Sequence, residues 1–343
     1  MFACRCREHI FEFSSKVAAV KAYGLTYVSD TDGGIRRKRG GKGFRYFDPS
    51  GKAITCKIEV ARIDRLAVPP AYDDVWICPS PNGHIQATGI DAAGRKQYRY
   101  HADWTDSRGA AKFDKLADFG RSLPRIRRKV KTLLNSAQAE DAFGKDVATA
   151  ALIRLLDQTA MRVGGRSRTS QGATTLMIRH IKYEKGSLRL RYTAKGGKKV
   201  QASVTDKRLQ RTLEKIHDLP GKRLFQYVGV DGQIHPLDSG DVNRWLKDVA
   251  GIDDISAKMF RTWHGSTAAL EAVRKAKKPT IKIACEAAAE ILCNTPTIAR
   301  KSYVHPDILT LVGEGRVASR IAKQSRSVRG LTASETRLLS MLQ

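Results

Sequence analysis

The stretch Gln97-Tyr98-Arg99-Tyr100-His101-Ala102-Asp103-Trp104 divides the chain into two textures. Its first five residues alternate polar and aromatic side chains, as a half-exposed strand does. Upstream, as far as Gly24, the pattern stays β-like. Leu25-Thr26-Tyr27-Val28 reads as a strand, and Asp32-Gly33-Gly34 as a turn. Phe44–Phe47 runs into the turn Asp48-Pro49-Ser50-Gly51, and Val75–Cys78 and His84–Thr88 flank Pro79–Gly83 as a hairpin. Downstream of Trp104, apolar residues recur at three- and four-residue spacing over Ala110–Leu123, Pro124–Ser136 and Asp146–Val163, which predicts helices. A β-hairpin follows, Ser187–Ala194 and Lys198–Val204 around Lys195-Gly196-Gly197. Helices resume at Asp206–His217, Ser239–Ala250, Ser256–Lys275 and Pro279–Leu292, and the end, Ala318–Gln343, reads as a basic helix and a second short one. The expected fold is α+β. A small β-rich domain over 25–104 precedes a larger, mainly helical domain over 105–343 that carries the hairpin; residues 1–24 form a leader of unassigned role.

The 343 residues include 62 Lys and Arg against 34 Asp and Glu, a net charge of +28. Such a chain repels itself unless a polyanion neutralises it, and nucleic acid is the leading partner because Lys and Arg displace the counterions condensed on phosphates. Charge alone does not separate this reading from a ribosomal-type basic protein. Cys4, Cys6, Cys56, Cys78, Cys285 and Cys293 are scattered without zinc or disulfide spacing. Reduced thiols in a cytoplasmic setting are expected, with no membrane span and no metal.

Five segments carry side chains suited to phosphate chemistry. Arg162 follows an apolar helix and precedes Gly164-Gly165. Lys195 sits on a Gly-Gly hairpin tip. Arg261 lies in Lys258-Met259-Phe260-Arg261-Thr262-Trp263-His264-Gly265, Asn294 ends a helix just before Pro296, and Tyr303 stands in Arg300-Lys301-Ser302-Tyr303-Val304-His305-Pro306. Each signal alone is weak, and a lone tyrosine is ordinarily a core or surface residue. The basic, Gly-rich stretch Arg36–Gly43 reads either as a solvated loop or as a phosphate contact, and the Arg125, Arg127, Arg128, Lys129, Lys131 helix reads as a contact to the nucleic-acid backbone.

Taken together, the five segments resemble the active site of the poxvirus-like, bacterial branch of type IB DNA topoisomerases. The resemblance extends through Gly41–Tyr46, Val75–Cys78, Gly83–Gly89 and Gly94–His101, and covers roughly residues 25–315. It implies a two-domain clamp around duplex DNA and a nucleophilic Tyr303 that forms a 3′-phosphotyrosyl link. At neutral pH only about one free tyrosine in a thousand is ionised, so nearby cations are expected to assist it. Arg162 and Arg261 would clamp the non-bridging oxygens, Asn294 would add a neutral hydrogen bond, and Lys195 would protonate the departing 5′-oxygen. Relaxation of supercoils needs neither ATP nor metal on this reading. Expected DNA contacts are Lys42, Gln97, Tyr98, Arg99, Tyr100, Arg125, Arg128 and Lys258. Along the strand either Gln97 and Arg99 or the two tyrosines face the groove, and the tyrosines are favoured; Lys258 also fits a solvated helix face. His264 reads as a packing or helix-terminal residue. A monomer acting in the cytoplasm, with the nucleoid in a bacterial host, is expected.

The chain departs from the family pattern after Arg162, where Gly165 replaces the usual Asn and the loop before Gly172 is shortened, which is expected to weaken a DNA contact or slow the reaction. The alternative with the same chemistry is a tyrosine recombinase. Recombinases carry His three residues before the second Arg, where this chain has Lys258, and their N-terminal domain is helical.

Overall fold

A computed structural model describes residues 17–18, 20–41, 43–139, 144–164, 170–184, 187–316 and 327–343. Lys42, the shortened loop at 165–169, most of the leader and most of the expected basic helix after Ala318 lie outside the described residues. The chain divides into two compact units, 1–111 and 112–343. Among the described residues no helix is long and apolar enough to cross a membrane.

The first unit is built on a five-stranded antiparallel sheet. Its strands are β1 (Ile35–Gly40), β2 (Gly43–Phe47), β3 (Asp73–Ile77), β4 (Ile85–Ile90) and β5 (Lys96–Tyr100), in the order β2-β1-β3-β4-β5. A core of Ile35, Tyr46, Val75, Ile77 and Ala87 packs against Ile63 of helix α1 (Lys57–Arg65). This helix lies inside the stretch read as β, and only Ile63 of its nine residues is buried. Gln86 is buried in β4 and donates to the carbonyls of Ser80, Pro81 and Gly83, which holds the β3–β4 turn. Gly34 is needed where it stands: a Cβ there would lie 2.0 Å from Nε1 of Trp76, which donates to Asp32 O.

Two expectations for this unit need correction. Leu25–Val28 is not a strand. It contributes one isolated bridge, Thr26 to Gly83, and Tyr27 instead stacks on His84 with ring centroids 4.6 Å apart. The basic Arg36–Arg39 run is the hairpin strand β1, not a loop. Arg37 is committed to the chain itself, donating to the carbonyls of Val68, Pro69 and Tyr72, with its guanidinium 4.1 Å from the Phe44 ring.

Helix α2 (Ala102–Asp114) spans the boundary of the units. The second unit then assembles α3 (Leu116–Ala139), α4 (Lys145–Thr159), a three-stranded antiparallel sheet β6 (Ile181–Glu184), β7 (Ser187–Thr193) and β8 (Lys199–Val204), helix α5 (Lys207–His217), the short hairpin β9 (Gln226–Val228) and β10 (Ile234–Pro236), and helices α6 (Ser239–Ala250), α7 (Lys258–Lys275), α8 (Ile281–Leu292), α9 (Pro296–Ser302), α10 (Pro306–Gly313) and α11 (Ala333–Met341). Helix α3 runs through Pro124, where the sequence suggested a break. An interior proline costs about 3 kcal/mol. The stripe Leu116, Phe119, Leu123, Ile126, Val130 and Leu134, almost fully buried, contributes about 1.5–3 kcal/mol per residue and outweighs it. Phe119 meets Phe260 and Trp263 of α7 edge-on, at 5.1 and 6.2 Å.

Trp263 lies so close over Gly120 of α3 that a Cβ there would come within 2.3 Å of its Cη2 atom. Gly109, in α2, faces open space. Replacing each by alanine should therefore act in opposite directions. Gly120→Ala is expected to destabilise by about 2–4 kcal/mol through overpacking, and Gly109→Ala to stabilise by about 0.5–1 kcal/mol through helix propensity, as measured by denaturant unfolding of each variant.

Candidate active site

The candidate site is built on two helix ends and one buried guanidinium. Helix α4 ends at Ala160 and α8 at Cys293, and both terminal residues adopt the left-handed conformation, φ 49° in each. For a non-glycine residue this costs roughly 1–2 kcal/mol. Arg261, on α7, is 3% exposed and lies between these ends. Its Nη1 donates to Ala160 O and its Nη2 to Leu292 O at 3.0 Å. A cation at a helix C-terminus is favoured by the carbonyls left unpaired there. The same two helix ends lead directly into Arg162 and Asn294. These two residues are joined by a 2.9 Å hydrogen bond from Arg162 Nη2 to Asn294 Oδ1. Arg261 Nε and Asn294 Nδ2 are buried and have no partner among the described residues. Two orphaned donors beside a guanidinium pair form a receptor for an anion.

Tyr303 follows α9 and is held by α7 from below. Its carbonyl accepts from Ser266 Oγ at 3.0 Å, and the same hydroxyl oxygen accepts from His305 N. Gly265 permits the approach: a Cβ at this position would lie 2.9 Å from Leu292 Cδ1 and 3.2 Å from the Tyr303 backbone oxygen. The Arg261 guanidinium carbon stands 4.8 Å from the Tyr303 ring centroid. Burial raises the Tyr303 pKa, but Arg261, Arg162 and Lys258 outweigh it, so the hydroxyl ionises below its ordinary range. Burial likewise pulls Arg261 below the usual arginine value.

The structure thus brings four of the five candidates together. Lys195 stands apart, exposed on the β7–β8 tip, where Gly196 and Gly197 both take positive φ. Ala194, beside it, lines a cavity of about 340 Å³ whose wall also contains Arg162 and Arg261.

A layer of residues that no motif announced supports this group. Arg127 of α3 turns inward, bonds Asp157 of α4 through two nitrogens at 2.8 and 2.9 Å, and reaches Glu335 of α11 at 2.7 and 2.9 Å. Trp263 Nε1 donates to Glu335 at 3.0 Å, and His264 Nε2 lies 3.3 Å from Asp157 Oδ1. Burial disfavours charge on both carboxyls, yet their cationic partners hold both below the usual carboxylate range. Arg127, read from the sequence as part of the basic helix, is instead committed to these two carboxylates. His264 is a packing residue in mid-helix, not a helix-terminal one. The available signal was Asp157 itself, a carboxylate set in the apolar run of α4, which requires a buried partner.

The remaining candidates lie on exposed surfaces. Lys258 is exposed at the start of α7, and its charge is one of those that lower the Tyr303 pKa. Arg125 and Arg128 are exposed on α3 and, with Lys129, line one shallow depression. In the first unit Tyr98 and Tyr100 stack at 5.8 Å with ring planes 12° apart, 44% and 46% exposed. They line a cleft with Tyr27, His84 and Trp104. Gln97 donates to Asp91 and Arg99 to the Ala67 carbonyl, so those two are engaged with the unit's own loops.

Residues 43–91 match the model of the bacterial DNA topoisomerase IB N-terminal domain, and residues 101–315 match that of the eukaryotic DNA topoisomerase I catalytic core. The chain is 28% identical to DNA topoisomerase 1B of Acanthamoeba polyphaga mimivirus, over 80% of its own length and 85% of that protein. Among solved structures it is similar to the XerH site-specific recombinase in post-cleavage and pre-cleavage complexes with its difH substrate. The identities are 18% and 19% and the TM-scores 0.36 and 0.34, over 56% and 55% of this chain and about half of each recombinase chain, 51% and 52%. The chain belongs to the type IB DNA topoisomerase family.

The electrostatics of Tyr303 yield a pH test. Positive charge lowers its pKa, so removing a neighbouring cation raises it. Lys258→Ala is expected to move the rising limb of the single-turnover cleavage rate to higher pH and to slow cleavage at neutral pH. An unmoved limb would show that Lys258 does not act on Tyr303.

Proposed function

We propose that this type IB topoisomerase relaxes supercoiled DNA through Tyr303. The observation that carries the assignment is the stacking of Arg261 on Tyr303, within a group that also holds the Arg162–Asn294 pair and unpartnered buried donors.

The route follows from what these groups do to a phosphodiester. Arg261 and Arg162 receive the two non-bridging oxygens, with the Asn294 amide donating beside them. Tyr303, ionising more readily than an ordinary tyrosine, attacks phosphorus in line. Its Oη–P bond forms as the P–O5′ bond breaks. Lys195, carried into place on the hairpin tip by bound DNA, delivers a proton to O5′. The product is a 3′-phosphotyrosyl link and a free 5′-hydroxyl, and rotation of that end relaxes the duplex. One phosphodiester replaces another, so the step is close to isoenergetic and the reverse attack reseals the strand. The fixed guanidinium charges take the stabilising part that metal ions play in many phosphoryl transfers, with no preparatory reorganisation.

The partner is double-stranded DNA, bound by a monomer in the cytoplasm or nucleoid. Tyr98 and Tyr100, and Arg125 and Arg128, would contact the duplex, the arginines through phosphates.

Supercoiled plasmid incubated with the chain in chelator and without ATP is expected to relax. Tyr303→Phe should abolish relaxation, and Lys195→Ala should slow it by about 100- to 10,000-fold. Failure of the intact chain to relax the plasmid would overturn the proposal; recombination between paired sites would favour the recombinase reading instead.

A further inference from the structure

The cavity beside the two arginines has another polar wall. Tyr192 of β7, three residues before Lys195, lines the same space as Arg162 and Arg261. It is opposite Val200 in the hairpin register, and Gln171 N donates to Thr193 O at 2.7 Å, which ties the segment after Arg162 to this strand. The half-buried ring packs on the core of the second unit, so the ring has a structural explanation. A phenylalanine would supply that packing. The hydroxyl is what tyrosine adds to that packing, and the cavity that Tyr192 lines also has Arg162 and Arg261 in its wall.

Two tyrosines therefore share the field of the same arginines, with opposite results. Tyr303 is held below its ordinary range. At Tyr192 burial dominates, Cys293 adds to it, and Arg261 and Arg162 offset it only in part, so the hydroxyl is pushed up to about 12. Tyr192 keeps its proton at neutral pH and is a donor. A pair of like groups driven in opposite directions marks a division of roles.

Building on the type IB reading, we propose that Tyr192 is a further catalytic residue whose Oη–H donates a hydrogen bond to a non-bridging oxygen of the scissile phosphate, beside Arg162 and Arg261. That oxygen gains negative charge as the Tyr303 Oη–P bond forms and the P–O5′ bond breaks, and loses it again in the covalent intermediate. Tyr192 keeps its own proton throughout; the proton that reaches O5′ comes from Lys195. A neutral donor held in place beside the phosphate binds the transition state more strongly than the ground state, which raises the rate without raising DNA affinity.

The test removes one oxygen atom. Tyr192→Phe, checked by thermal melting to fold as the intact chain does, is compared in single-turnover cleavage and in duplex-binding titrations. Tyr183→Phe serves as control, since that hydroxyl on β6 is also pushed up to about 12 and Tyr183 is not among the cavity's lining residues. Tyr192→Phe is expected to cleave about 10- to 100-fold more slowly with DNA affinity unchanged, while Tyr183→Phe cleaves at the intact rate. Cleavage by Tyr192→Phe at the intact rate would overturn the proposal. So would a loss of affinity with the bound complex still cleaving normally, since the hydroxyl would then be a docking contact. If the intact chain forms no covalent complex, it is the type IB reading that fails.

Discussion

The burial of the Arg261 guanidinium between two helix ends is the interaction on which the rest of the site depends. Leaving such a charge unpaired away from water carries a penalty of several kcal/mol. Hydrogen bonds to a charged group contribute about 1.5–3 kcal/mol each, and a partly buried cation at a helix C-terminus gains up to about 2 kcal/mol more. Arg261 makes two such bonds, to the ends of α4 and α8, so these contributions are of the size needed to offset the penalty. The same bonds fix where those helices stop, and the residues that follow are Arg162 and Asn294. One side chain thus organises the anion receptor and presents its own face to Tyr303.

The string from Arg261 to Ser266 shows how much of the site one helix carries. Arg261 joins the helix ends. Trp263 fills the core over Gly120 and bonds Glu335. His264 faces Asp157, Gly265 admits the Tyr303 backbone, and Ser266 bonds the Tyr303 carbonyl. The Arg127, Asp157 and Glu335 cluster then fastens α7 to α3, α4 and α11. Core packing and the geometry of the candidate site are therefore not separable along this helix. A change that shifts α7 by a few tenths of an ångström moves the arginine and the tyrosine's seat together.

The two-texture organisation and the order of Arg162, Lys195, Arg261, Asn294 and Tyr303 were legible because each candidate sits in a short string with its own local logic. The supporting cluster was not legible, because its partners are separated by 30, 72 and 208 residues and no local pattern joins them. Arg127 looked like its exposed neighbours Arg125 and Arg128. It differs because it lies toward the inner face of α3, next to the buried Ile126. Helix α1 was hidden by charge, with one buried residue in nine. Pro124 suggested a break that an unbroken buried stripe overrode. Leu25–Val28 has strand-forming residues but lies against a turn, with no neighbouring strand along its length.

The proposed chemistry singles out Tyr303 from the nine other tyrosines of the chain. Trapping the cleaved complex with denaturant, digesting it and locating the nucleotide adduct by mass spectrometry identifies the nucleophile directly. A nucleophilic Tyr303 leaves a 3′-phosphoryl adduct on the peptide that contains it. An adduct on any other residue, or a cleaved strand with no protein attached, would contradict it.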